Sequence, residues 1–226
     1  MRWFRKFWVV LVFVLVLLQG QSWSEERVIE EKFSCGPIKI TVVSKIEPVN
    51  STKEILKNAF LVTEQIIIID NKKIKVGPSL EEYWNKISWN FKIDKDEKVR
   101  SLYERYKDYP LYQISGVNCF YDTKKNYYAE VSYGRYCNGA HCEYNELYTQ
   151  NGKLLISDKQ RIYLAYTDLN KMNKAISQYL NFKKRKLKPI KKQKEYSGVF
   201  DFVPLAGVSV EDPDRVIEFM TDKDFK

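Results

Sequence analysis

Residues 117–157, VNCFYDTKKNYYAEVSYGRYCNGAHCEYNELYTQNGKLLIS, decide the fold. Segments 117–121, 127–137, 142–148 and 154–157 are rich in tyrosine and aliphatic residues. They are separated by DTKKN, NGAH and a loop holding Asn151-Gly152. Short β-prone runs divided by Asn, Asp and Gly read as consecutive antiparallel hairpins, a β-meander. If Cys137 faces Cys142, Arg135 lies opposite Tyr144, Tyr133 opposite Glu146 and Val131 opposite Tyr148. An Asn-Gly type I′ turn sets Leu155 opposite Tyr148. Tyr127, Ala129, Val131, Tyr133, Tyr148 and Leu155 then share a core face. Glu130, Ser132, Asn145 and Glu143 take the other face, with Leu147 and Ile156 as a small apolar pair.

On the N-terminal side, residues 33–46 alternate as FSCGPIKITVVSKI and predict a single strand. Ser51 and Glu54 form a capping-box pattern ahead of a short helix over 52–60. A strand over 61–69 follows, its Ile66–Ile69 run suggesting burial on both faces, and Asp70-Asn71-Lys72-Lys73 turns it into 74–76. Ser79 and Glu82 make a second capping box for a helix through about Phe91. Asp94 or Asp96 caps another that runs through Tyr106 and stops before Pro110. On the C-terminal side Asp168 opens a long helix, with Leu169, Met172, Ile176, Tyr179 and Leu180 at helical spacing. Residues 199–203 read as a late strand, and Asp212-Pro213 opens a short terminal helix. The fold class is α+β: an antiparallel β-meander with three to five separate helices, stabilised by disulfides.

Arg2, Arg5 and Lys6 precede an apolar run of twelve residues, 7–18, and a small polar stretch ending at Ser24. That order is the one found in secretory signal peptides. A membrane span needs about 20 apolar residues, so removal of 1–24 fits better than an uncleaved anchor. The chain then divides into four parts: a signal peptide (1–24), an α+β globular domain (25–182), a basic helix end or linker (183–194), and a C-terminal strand and short helix (195–226) packed on the domain or partly mobile. Export, to a periplasm or out of the cell, implies an oxidising compartment. The four cysteines then read as two disulfides: Cys137 with Cys142 across a hairpin tip, and Cys35 with Cys119. Zinc on the same cysteines with His141 is disfavoured, because only one of the two required ligand pairs is present. No metal or cofactor is expected.

The formal charge of +9 is unevenly spread. Three positive charges lie in 1–24, and eight lie within 183–194. Residues 195–226 carry eight acids against three bases. An exported chain does not meet nuclear import, so the tract KKRKLKPIKKQK does not imply nucleic acid. Lys183, Lys184, Arg185 and Lys186 suit a helix C-terminus, where cations offset the dipole, with solvated linker continuing to Pro189. Alternatively these residues and Lys188 touch an anionic membrane surface.

Catalytic signals are weak. His141 is the sole histidine, sits in a loop, and is badly placed as a base for Cys142. No Gly-rich phosphate loop is present. Paired acids for polysaccharide hydrolysis would have to come from residues such as Glu81, Glu82, Glu143 and Glu146, each with an ordinary structural explanation. Tyr133, Tyr136, Tyr144 and Arg135 cluster near the braced tip and are the candidate contact patch, since tyrosine gives large contact area at low entropy cost. The leading expectation is an exported, non-catalytic binding or inhibitor-like protein of the cell envelope. It would recognise a protein or envelope polymer through the disulfide-braced tip. The alternatives are a carboxylate-dependent hydrolase of envelope polysaccharide and a peripheral membrane protein using the basic tract.

Overall fold

The computed structural model describes residues 26–48, 60–86, 104, 106–135, 142–165 and 167–190. Within them two antiparallel sheets face each other across one apolar interior, and few helices accompany them. The first sheet runs in chain order: β1 (Arg27–Cys35), β2 (Ile38–Pro48), β3 (Phe60–Ile69) and β4 (Lys72–Lys75). The second has the order β8-β7-β6-β5-β9. It is built from β5 (Gln113–Tyr121), β6 (Tyr127–Gly134), β7 (Glu143–Thr149), β8 (Leu154–Ser157) and the two-residue β9 (Lys188–Pro189). The described residues also hold three helices: α1 (Leu80–Lys86), α2 (Arg161–Leu164) and α3 (Leu169–Lys186). Of the expected helix over 52–60 all but Phe60, which opens β3, lies outside the described residues, as does the Asp94 or Asp96 cap. So do residues 1–24, 199–203 and the Asp212-Pro213 start.

The strand expected over 33–46 is in fact the joint of a hairpin. Cys35 pairs with Ile38, and Gly36 at φ +61 with Pro37 forms the turn. Positive φ at the first central residue suits glycine. Space requires glycine as well, because a Cβ on Gly36 would lie 2.5 Å from the Tyr127 ring. Glu30 and Lys32 on the open face, with Glu31 half-buried between them, hide β1 in the sequence. Along β2 the alternation is complete: Ile38, Ile40, Val42, Ser44 and Ile46 are buried. A bulge at Thr63 shifts the phase of β3, with Lys45 opposite Glu64 and Ile46 opposite Val62, so that Val62 and Gln65 both face inward. Ile67 and Ile69 are buried, but Ile66 and Ile68 only half so, which corrects the expectation of burial on both faces. Asp70 and Asn71, both at positive φ, make the two-residue turn into β4.

The faces of β6 and β7 are as the alternation implies, but their register is displaced by two residues. Tyr133 pairs with Tyr144, Val131 with Glu146, and Ala129 with Tyr148. Among the described residues the ladder ends at Gly134 and Glu143. A slip of two preserves parity, so Ala129, Val131, Tyr133 and Tyr148 stay inside. Leu155 does not. Only Gly152, and not Asn151, has positive φ, and Thr149 N–H donates to Lys153 O. The connection is thus a three-residue loop with a left-handed glycine, not a type I′ pair. Tyr148 meets Leu154, Leu147 meets Ile156, and Leu155 is the extra residue, 42% exposed.

Three contacts fix the sheets to one another. The Cys35–Cys119 disulfide joins β1 to β5. The Gln65 side chain donates to Ser44 Oγ (2.9 Å) and accepts from Ile114 N–H (2.7 Å), satisfying a backbone donor at the β5 irregularity. Gly152 lies so close to the β3–β4 turn that a Cβ there would come within 3.1 Å of Ile69 O.

Helix α3 covers the outer face of the second sheet. Tyr179, Phe182 and the following Leu187 pack on Phe120, Tyr128, Leu147 and Ile156. Asp168 caps the helix, accepting from Lys171 N–H at 2.9 Å. Leu169 and Leu180 face outward, at 60% and 52% exposure. Glu130, 2% exposed, accepts from Tyr179 Oη and Lys183 Nζ, both at 2.7 Å, and from Asn118 Nδ2 at 3.2 Å. A buried carboxylate is tolerable when paired and hydrogen-bonded in this way. The expected linker before Pro189 is instead structured. Lys188 and Pro189 pair with Tyr121 and Phe120, and Ile190 N–H donates to Cys119 O.

Cys35 and Cys119 are 84 residues apart. Replacing both by Ala should lower the unfolding free energy by about 4 kcal/mol, mainly by freeing the unfolded chain. Urea denaturation of the two proteins under non-reducing conditions measures this. An unchanged midpoint would mean that the apolar interior alone sets the docking of the sheets.

Candidate functional site

Of the predicted patch, Tyr133, Tyr144 and Arg135 lie inside the protein. Tyr133 near the end of β6 and Tyr144 on β7 stack with ring centroids 4.5 Å apart and planes 14° apart. Tyr112, just before β5, meets Tyr144 edge-on at 5.4 Å. Tyr83 of α1 lies 6.2 Å from Tyr112, and Tyr163 of α2 stacks on Tyr83 at 5.7 Å. Tyr83, Tyr112, Tyr133 and Tyr144 are each no more than 1% exposed. The tyrosines therefore form the interior of this end of the sandwich, which corrects the expectation that Tyr133 and Tyr144 form a contact surface. Tyr136, Cys137 and His141 lie outside the described residues. Cys142 is disulfide-bonded, and its partner is likewise outside them.

Arg135 comes directly after β6 and shares this interior. Its N–H donates to Cys142 O at 2.8 Å, closing the last rung before the tip. The side chain turns back over the rings, with Cζ 5.3 Å from the Tyr83 centroid and 5.4 Å from that of Tyr112. The residue is 8% exposed, and the buried Nε and Nη1 have no hydrogen-bond partner among the described residues. Lys86 places Nζ 4.5 Å from the Tyr163 centroid, and Lys159 places it 5.5 Å from that of Tyr144. Three cations thus lie over one connected set of rings. Cation–π contact with two tyrosines offsets about 1–2 kcal/mol of the cost of burying a guanidinium. That is less than the several kcal/mol such burial costs.

The carboxylates nearby are engaged. Arg161 binds Glu143 at 2.8 Å and Asp158 at 2.9 Å. Glu146 accepts from Tyr148 Oη and, at 3.5 Å, from Ser157 Oγ. Glu82 closes the helix cap with Ser79, Ser79 N–H donating to it at 3.1 Å and Glu82 N–H donating to Ser79 Oγ at 3.2 Å. Glu143 and Glu146 are three positions apart on β7, hence on opposite faces, and do not form a facing pair.

Sequence reasoning places Arg135, Tyr133 and Tyr144 together, but misses Tyr83, Tyr112, Tyr163, Lys86 and Lys159. These come from helices and connections distant in sequence, and no local pattern marks them. Of the basic tract, Lys183 is drawn onto Glu130, while Lys184, Arg185, Lys186 and Lys188 are exposed. Among the described residues no helix is long and apolar enough to cross a membrane.

The buried phenols make stability sensitive to alkali. Burial holds Tyr133 and Tyr144 well above the usual tyrosine value, helped by Tyr148 and Glu146. Burial and the neighbouring Glu146 raise Tyr148, and burial with Glu130 raises Tyr179. Burial, and after it the charge of Glu82, pushes Tyr163 up to about 12. A raised folded value leaves stability intact below the unfolded value of 10.0 and removes it as pH climbs beyond. The slope is about 1.4 kcal/mol per pH unit for each phenol that ionises only on unfolding. Denaturant midpoints should hold steady up to pH 10 and then fall steeply, with tyrosinate absorbance rising in step with unfolding. Smooth ionisation of all tyrosines without unfolding would contradict this burial.

Comparison of the chain with protein-family models, with curated proteins and with solved structures found no match.

Proposed function

We propose that the chain acts as an exported, non-catalytic binding or inhibitor-like protein of the cell envelope. It would recognise a protein or envelope polymer with the end of the sandwich where β6 gives way to the hairpin tip. The observation that carries this reading is Arg135, a buried guanidinium with two nitrogens lacking acceptors beside that tip. Natural interiors leave few such groups unpaired, and each calls for an explanation, a bound ion among them. Supporting export, every described cysteine is disulfide-bonded, as an oxidising compartment favours. Supporting a binding role over hydrolysis, Glu82, Glu143 and Glu146 are held in structural bonds. The finer architecture, a meander with three to five helices, is part of the same proposal.

Two experiments test it. Expressed from its own first residue in a bacterial host, the chain should be recovered outside the cytoplasm, lacking residues 1–24 and with no reactive thiol. Intact mass with and without reductant reads both properties, and a cytosolic product retaining Met1 and four thiols would defeat the export reading. The purified mature chain should also co-sediment with an insoluble envelope fraction. Replacing Cys137 and Cys142 by Ser should weaken that capture about tenfold by loosening the tip. Equal capture by both proteins would remove the tip as the recognition element.

A further inference from the structure

We infer that Arg135, flanked by Lys86 and Lys159, is an oxyanion-binding site that takes a carboxylate or phosphate group from the ligand. This rests on reading that end of the molecule as the binding end, and it names the chemistry bound there. A guanidinium cannot shed its proton in a protein, so Arg135 carries its charge wherever it sits. At 8% exposure, water does not provide full compensation. Every described acid near the rings already has a partner: Glu143 and Asp158 on Arg161, Glu146 on Tyr148 and Ser157, Glu82 on Ser79. Nε and Nη1 remain as donors without acceptors among the described residues.

The surrounding residues select for an anion. Lys86 and Lys159 lie over Tyr163 and Tyr144, and neither carries an ion pair among the described residues. Rings and cations connect without a break, from Lys86 through Tyr163, Tyr83, Arg135, Tyr112 and Tyr144 to Lys159. A neutral ligand would leave the buried Arg135 charge uncompensated, whereas an oxyanion supplies acceptors to Arg135 and is attracted by the two more exposed lysines. Charge-assisted hydrogen bonds to carboxylate or phosphate are the strong class, and guanidinium is well matched to both. Uronic acids and phosphorylated polymers share this chemistry, and small probes separate them.

The test tracks the Arg135 Nε–H resonance of the purified mature chain during titration with inorganic phosphate, glucuronate and neutral glucose. Phosphate, glucuronate or both should shift it at millimolar concentration, while glucose leaves it in place. A response to phosphate alone assigns a phosphoryl ligand, and a response to glucuronate alone a carboxylate. Arg135→Met should weaken anion binding by about thirtyfold or more, read from backbone amides of Tyr83 and Tyr112. It should not lower the melting temperature without anion, because it removes an unpaired buried charge. Lys159→Gln, a milder change, should weaken binding about twofold to fivefold. No shift with either anion, or equal binding by the Arg135→Met protein, would overturn the inference. None of these readings involves export or the envelope partner, so failed envelope capture with a positive titration would discard only the broader proposal.

Discussion

The covalent link between Cys35 and Cys119 sits where the first hairpin turns back on itself, and that position governs how the two sheets meet. Two sheets packed through aliphatic side chains alone can slide, because dispersion and the hydrophobic effect have no strong direction. The disulfide supplies a fixed point, and Gly36 beside it lets the Tyr127 ring lie flat against the turn. Gln65 adds a directional contact in the interior, where an unpaired amide or backbone N–H would be costly. With sheet spacing and rotation held, the tyrosines of the second sheet meet those of α1 and α2 in a defined geometry. The position of Arg135 over Tyr83 and Tyr112 is a late consequence of that docking.

What the residues reveal before folding is uneven, for physical reasons. Face assignment on β6 and β7 is robust because alternation has period two and survives an even slip. Register is fragile because it depends on loop conformation. The Gln150-Asn151-Gly152 loop places its single left-handed residue at Gly152, and one added residue sends Leu155 to the surface. Caps are legible, as at Ser79 and Asp168, because both partners lie within one helical turn. β1 is illegible because its exposed face carries Glu30 and Lys32, which obscure the alternation.

The candidate site was legible only in part. Arg135 beside two tyrosines can be read from β6, but its burial cannot, since the rings that cover it come from Tyr83 and Tyr112. Arginine at a strand end ordinarily extends its charge to water. Only the layout of both sheets shows that this one is enclosed. The basic tract illustrates the reverse. Eight cations in twelve residues suggest one function, yet Lys183 belongs to the interior account of Glu130, and Lys188 lies in a strand.

The clamp on Glu130 has a bearing on how a chain made from its N-terminus reaches this state. Glu130 is synthesised 53 residues before Lys183, the cation that neutralises it. Until α3 arrives, the nascent sheet presents Phe120, Leu147 and Ile156 to solvent around an acid that is still hydrated. That surface is adhesive, yet it cannot close on its own, because burying the acid without its lysine is unfavourable. The final layer of the described fold therefore locks only when nearly the whole described chain has emerged.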